Sequence, residues 1–127
     1  MTSYEFVGKD ISKLWEVVGV RTTERGVRVQ AHSWRAGIAT VELTAEQAKE
    51  LIQIIATHLP KVAMTNREEF FETVGEAYRE VGVGHGYRHG RIMILVSEGD
   101  IYATVDLTIE QANELSKIIK AHLPSPE

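Results

Sequence analysis

The sequence predicts an α+β protein made by tandem duplication: two α-β-β-α units that together form one four-stranded antiparallel sheet with helices packed on it. Three observations carry that expectation. Ala39–Pro60 (ATVELTAEQAKELIQIIATHLP) recurs as Ala103–Pro124 (ATVDLTIEQANELSKIIKAHLP), with 15 of 22 positions identical at a shift of 64. An internal repeat of this kind constrains architecture before any other signal is weighed, and two copies of one unit imply a pseudo-twofold molecule. Each copy passes from period-two alternation, which marks a strand, to an apolar stripe at helical spacing. A shift of 63 also aligns Trp15 with Tyr78, Ile11 with Val74, Arg25 with Arg88 and Arg28 with Arg91, so each unit is expected to open with a helix. The units fall at residues 1–62 and 63–127 and share one globular domain, because a single hairpin with one helix is marginally stable in water.

In chain order, residues 1–8 carry Tyr4, Phe6 and Val7 in an extended lead-in with edge-strand character. Lys9–Val18 places Ile11, Leu14, Trp15 and Val18 at i, i+3, i+4 and i+7, a helical spacing that Gly19 stops. Arg25–Arg35 alternates Val27, Val29 and Ala31 against Arg28, Gln30, His32 and Trp34, a strand with two chemically different faces. Ala36-Gly37 turns the chain into a return strand, Ile38–Leu43. Thr44 caps the next helix, with Gln47 completing a capping box and Ala48, Leu51, Ile54, Ile55 and Leu59 forming its apolar stripe. Pro60 is expected to end it.

The second unit repeats this grammar. Thr65 or Asn66 caps a helix, Arg67–Val81, with Phe70, Phe71, Val74, Ala77, Tyr78 and Val81 on its buried side. Gly84–Gly90 is a loop, Arg91–Ser97 a strand, and Ile101–Leu107 its return after a turn at Glu98-Gly99-Asp100. Thr108 and Gln111 box the last helix, and the tail Ser125–Glu127 is expected to fray.

Composition narrows the function classes. The chain has 127 residues, 43% apolar and 25% charged, with a net charge of −4. That balance is ordinary for a globular protein and argues against generic coating of nucleic acid, though it leaves room for a local basic patch. With no cysteine, disulfides and thiolate chemistry are excluded, which fits a reducing cytoplasm. MTSYEFVGKD has no basic region followed by an apolar run, so no signal peptide is expected. No apolar stretch reaches the roughly 18 residues that would span a bilayer, and no membrane role is expected.

Candidate binding residues lie on the sheet face turned away from the stripe helices: Arg28, His32 and Trp34 from one unit, and Arg91, Met93, Leu95 and Tyr102 from the other. One reading has the two opening helices cover this face. Another makes it a homodimer or partner interface, where aromatics, Met and Arg are enriched. A third has Arg28 and Arg91 grip phosphate while Trp34 and Tyr102 stack bases, as in single-stranded nucleic-acid or nucleotide binding. The glycine-rich loop with His85, Arg88 and His89 is a candidate anion site, because exposed backbone N–H groups can cradle an anion. Those two histidines lack a third ligand in their vicinity, so no metal is expected, and no cofactor is implied. His58 and His122 are equivalent positions in the last helical turn, where a histidine complements the dipole. No serine stands in a nucleophile-elbow context, and Glu46, Glu50, Glu110 and Glu114 read as solvated helix charges, so the chain is not expected to be an enzyme.

The phrase V-x-L-T-x-E-Q-A-x-E-L followed by an aliphatic helix, carried by Val41–Leu51 and Val105–Leu115, resembles a strand-to-helix phrase of small proteins from actinobacteria and their phages. The resemblance covers only the two 22-residue repeats. It implies a phage or mobile-element origin, where small host-directed or regulatory binding proteins are frequent, and it transfers no site residues. The expected function is that of a non-enzymatic interaction protein, homodimeric or bound to a protein partner. The alternative is a nucleic-acid or phosphate-ligand module.

Overall fold

Two runs of four strands follow one another along the chain, each closed by a helix. β1 (Glu5–Asp10), β2 (Trp15–Thr22), β3 (Gly26–Ser33) and β4 (Gly37–Thr44) precede α1 (Ala45–Val62). β5 (Phe71–Glu76), β6 (Arg79–His85), β7 (Arg91–Glu98) and β8 (Ile101–Thr108) precede α2 (Ile109–His122). These elements belong to a computed structural model of the chain that describes residues 3–34, 37–62 and 69–124. The expected features at Arg35, Ala36, Thr65, Asn66 and Arg67, and in the tail from Ser125, lie outside the described residues.

The α+β class holds, and a repeated strand–helix unit fits the duplicated sequence. The unit itself is different. It is β-β-β-β-α rather than α-β-β-α, and there are two four-stranded antiparallel sheets rather than one, ordered β1-β2-β3-β4 and β5-β6-β7-β8.

The two expected opening helices are hairpins. Within Lys9–Val18, Asp10 Oδ1 accepts from Ser12 Oγ and Lys13 N, closing a local turn. Leu14 and Glu16 adopt φ of 53° and 48°, outside any helix. Ile11, Leu14 and Trp15, three of the four residues of the helical pattern, are exposed. The segment that follows is rich in valine, which prefers a pleated surface. In the other unit the turn falls at Ala77 and Tyr78, the latter with φ 68°. Gly75 sits just before it with φ 121°, where an added Cβ would come within 2.4 Å of the Arg79 carbonyl oxygen. Gly8 repeats this arrangement in β1, with φ 148° and the Glu16 carbonyl at 2.3 Å.

The other elements form as their patterns require. Val27, Val29 and Ala31 of β3, Ala39, Val41 and Leu43 of β4, and Ile92, Ile94, Val96, Ala103, Val105 and Leu107 of β7 and β8 are all buried. With Val18, Val20, Val81 and Val83 and the helix stripes they form one apolar cluster drawn from both sheets. Each fully buried Val, Leu or Ile there contributes about 1.5–3 kcal/mol. The reciprocal Thr44–Gln47 and Thr108–Gln111 bonds complete both capping boxes. Pro60 does not end α1, which continues to Val62, since the N–H that it lacks is missed only in the final turn. In α2, by contrast, Leu123 before Pro124 is extended (φ −62°, ψ 136°) and the helix stops.

Each helix packs on both sheets. α1 touches β3 and β4 of its own run and β5 and β6 of the next, while α2 touches β8 and reaches back to β1 and β2. The equivalent histidines fasten these crossings. His58 Nε2 pairs with Glu72 of β5 at 2.6 Å, its ring lying flat on Phe70. His122 Nε2 pairs with Glu5 of β1 at 2.9 Å, and its carbonyl accepts from Thr22 Oγ1 of β2.

Candidate binding surface

Side chains of β3 that alternate with the buried valines point to the outer face of the first sheet. There the expected site residues part company. Arg28, His32 and Trp34 share this face, whereas Met93, Leu95 and Tyr102 lie on the outer face of the second sheet. They do not form a single surface. Nor do the expected helices cover either face, because those segments have become strands that widen the sheets.

The pairing register also dissolves the expected symmetry of Arg28 with Arg91. Arg28 stands opposite Glu42, and the residue in the matching place, opposite Asp106, is Met93. Arg91 begins β7 opposite Thr108 and corresponds to Gly26, opposite Thr44. The shift grows from 63 in the second strand of each unit to 65 in the third, because the loop before β7 is longer.

One end of the first sheet's outer face is aromatic and exposed. Trp15 and Trp34 lie side by side, ring centroids 6.0 Å apart, and are 51% and 56% exposed. Ile38, opposite His32 in the register, is 53% exposed, and Ile11 and Leu14 project from the adjoining turn. In the middle of the face His32 is buried. Its Nε2–H donates to Gln30 Oε1 at 2.6 Å, and Gln30 Nε2 donates to Thr40 Oγ1. The edge of its ring meets Phe6, and burial pushes the imidazole below its ordinary value. Phe6 in turn lies over Gly19, where a Cβ would come within 2.5 Å of the ring, so β2 needs glycine there.

The opposite end is basic. Arg21 of β2 and Arg28 of β3 are direct cross-strand partners, and Arg25 extends the group from the β2–β3 turn. The three line an open cleft with Thr22, Thr23 and two carboxylates, Glu24 and Glu42. The Arg21 guanidinium sits over the Tyr4 ring at 5.6 Å, and Tyr4 stacks on Phe6.

The second sheet's outer face is apolar where the first is basic. Phe71 covers Gly82 and Gly84, and a groove runs between Phe70, Phe71, His85 and Met93. Met93 and Leu95 are half-buried, and Tyr102 is 59% exposed near the far turn. Of the expected anion loop, Arg88 and His89 are exposed, while the His85 ring meets Phe70 edge-on. Three of the backbone donors in and beside the loop are engaged internally. Gly86 N–H donates to the Arg91 carbonyl, Arg91 N–H to the Arg88 carbonyl, and Tyr87 N–H to the Asp106 carboxylate. An anion there would compete with the Asp106 carboxylate for the Tyr87 N–H.

Tyr4 and Phe6 fall on the edge strand expected of residues 1–8, but their place on this surface was not expected, and Trp15 was missed because it belongs to the segment read as a helix. A signal was present: Glu5-Phe6-Val7-Gly8 and Glu72-Thr73-Val74-Gly75 share E-x-V-G at a shift of 67, which marks the edge strands and the glutamates that receive the two histidines. Among the described residues, no helix is long and apolar enough to cross a membrane. No family model matches this chain, and no curated protein or solved structure matches it. Fold and surface together define an α+β protein whose two outer sheet faces differ in chemistry.

Proposed function

We propose that this chain is a small non-catalytic interaction protein that docks a protein partner, in the first place a second copy of itself, through the aromatic end of the first sheet. The observation that carries this reading is the Trp15–Trp34 pair beside Ile38, each more than half exposed. Tryptophan dominates binding hot spots and is enriched at interfaces. These groups supply contact area rather than acid–base or nucleophilic chemistry, which favours binding over catalysis. The resemblance of the repeats to phage and actinobacterial sequences fits a small protein acting on a host or phage partner in the cytoplasm. The matching glycines Gly8 and Gly75 and the matching histidine–glutamate pairs support a pseudo-twofold relation between the units.

Light scattering on a sizing column tests the reading. The wild type is expected to elute as a dimer and the Trp15→Glu, Trp34→Glu variant as a monomer with unchanged far-UV circular dichroism. A monomeric wild type, or a variant that keeps the dimer's mass, would overturn self-docking through this face. A second reading, recognition of nucleic acid or a phosphate ligand, rests on the arginine cleft at the other end of the same face.

A further inference from the structure

We infer that the cleft formed by Arg21, Arg25 and Arg28 is a binding site for a phosphoryl group, either free or carried on a nucleotide. This builds on the second reading and is independent of the aromatic end. Six residues separate Arg21 from Trp15 along β2, about 20 Å at the rise of a strand.

Arg21 and Arg28 face each other directly across β2 and β3, where like charges are unfavourable. Arg25 adds a third positive charge to the same cleft. Glu42 stands opposite Arg28 in β4, yet among the described residues none of the three arginines forms an ion pair. Arg21 is held in place over Tyr4, and its Nε–H is buried with no hydrogen-bond partner among the described residues. A buried donor left unmade is unfavourable, and a ligand oxygen would satisfy it once the Arg21 side chain turned that N–H toward the cleft.

The frame around the arginines is rigid. Thr23 N–H donates to the Gly26 carbonyl and Gly26 N–H to Thr23 Oγ1, closing the β2–β3 turn. The Arg25 carbonyl accepts from Ala45 N–H at the start of α1, and Thr22 Oγ1 donates to the His122 carbonyl at the end of α2. The turn is thus tied to both helices, and little ordering is left for binding to impose. Planar guanidinium forks match the paired oxygens of phosphate. Glu24 and Glu42 line the same cleft and offset part of the arginines' charge, which favours a compact anion over a long polyanion.

The second unit supplies an internal comparison. By strand register, Gly84 stands where the first unit has Arg21, and Met93 where it has Arg28. The same place there is the apolar groove beside Phe71. Arginines kept only for solubility would give no reason for the two copies to differ so sharply at these two facing positions.

The test is an NMR titration of the full chain, following backbone amides and arginine Nε–H signals, with sodium pyrophosphate and, separately, ADP. Saturable shifts of the Arg21 Nε–H and of the Thr23 and Gly26 amides are expected, weakening as salt is raised. Arg28→Gln should lower affinity about tenfold or more, the effect of losing a charge-assisted hydrogen bond. Glu42→Gln, which removes a carboxylate from the cleft, should raise it. Tighter binding of ADP than of pyrophosphate would identify a nucleotide as the source, and equal binding the phosphoryl group alone. Absence of saturable shifts with both probes, or shifts unchanged in Arg28→Gln, would overturn the proposal. Neither result bears on the oligomeric state, so the docking reading stands or falls separately.

Discussion

His32 shows how a residue that looks like a ligand becomes part of the frame. Alternation puts it on the outer face, but Phe6 arches over from β1 and buries it, and Gln30 takes its Nε2–H. Burial disfavours the charged ring, which lowers its proton affinity below the ordinary value of 6.5. Just below that pH the unfolded chain therefore binds more protons than the folded one, and stability rises with pH across that window. The contribution of neutral His32 is fully present above 6.5 and falls away as the solution is acidified. Urea unfolding of the wild type at about pH 7 and about pH 5, bracketing the ordinary imidazole value, should show a loss that is smaller in His32→Gln. An equal loss in both proteins would show that His32 is not the source of the pH dependence.

At the scale of elements, Gly8 and Gly75, in sparsely populated backbone conformations, allow the two segments expected as helices to fold as hairpins. Gly75 combines a positive φ with a backbone oxygen where its Cβ would stand, whereas Gly99 has a positive φ (64°) and open space. Gly75→Ala should therefore cost more than Gly99→Ala, which carries only the conformational penalty of about 1–2 kcal/mol. Comparing their urea midpoints checks this, and equal losses would show that the close approach in β5 relaxes freely. The strands β3, β4, β7 and β8 and both helices were legible because alternation and caps agree within each. β1 was legible only as an extended edge, and β2, β5 and β6 were not, since in the first unit Ile11, Leu14 and Trp15 reproduce helical spacing across a turn whose apolar residues face solvent. The candidate site inherited that error. Arg28 and Trp34 could be placed on an outer face from β3 alone, while their neighbours Arg21 and Trp15 come from β2 and stayed hidden until β2 paired with β3.

For the whole molecule, the crossing of the helices decides whether one unit can unfold without the other. α2 ends against β1 and β2 through His122, Glu5 and Thr22, and α1 meets β5 through His58, Glu72 and Phe70. Loss of either sheet would strip both helices of part of their packing and open the shared apolar cluster. Both tryptophans of the chain, Trp15 and Trp34, belong to the first sheet, so fluorescence reports that sheet alone, whereas far-UV circular dichroism reports both units. Ile94 is fully buried in β7 of the second sheet, and Ile94→Val should remove about 0.5–1.5 kcal/mol. If the units unfold together, the fluorescence and dichroism midpoints in urea coincide, and the substitution lowers both by the same amount, although it lies in the sheet that has no tryptophan. If instead the fluorescence midpoint stays fixed while the dichroism curve splits, the two units fold separately, and the helix crossings are surface contacts rather than the joint that holds the molecule together.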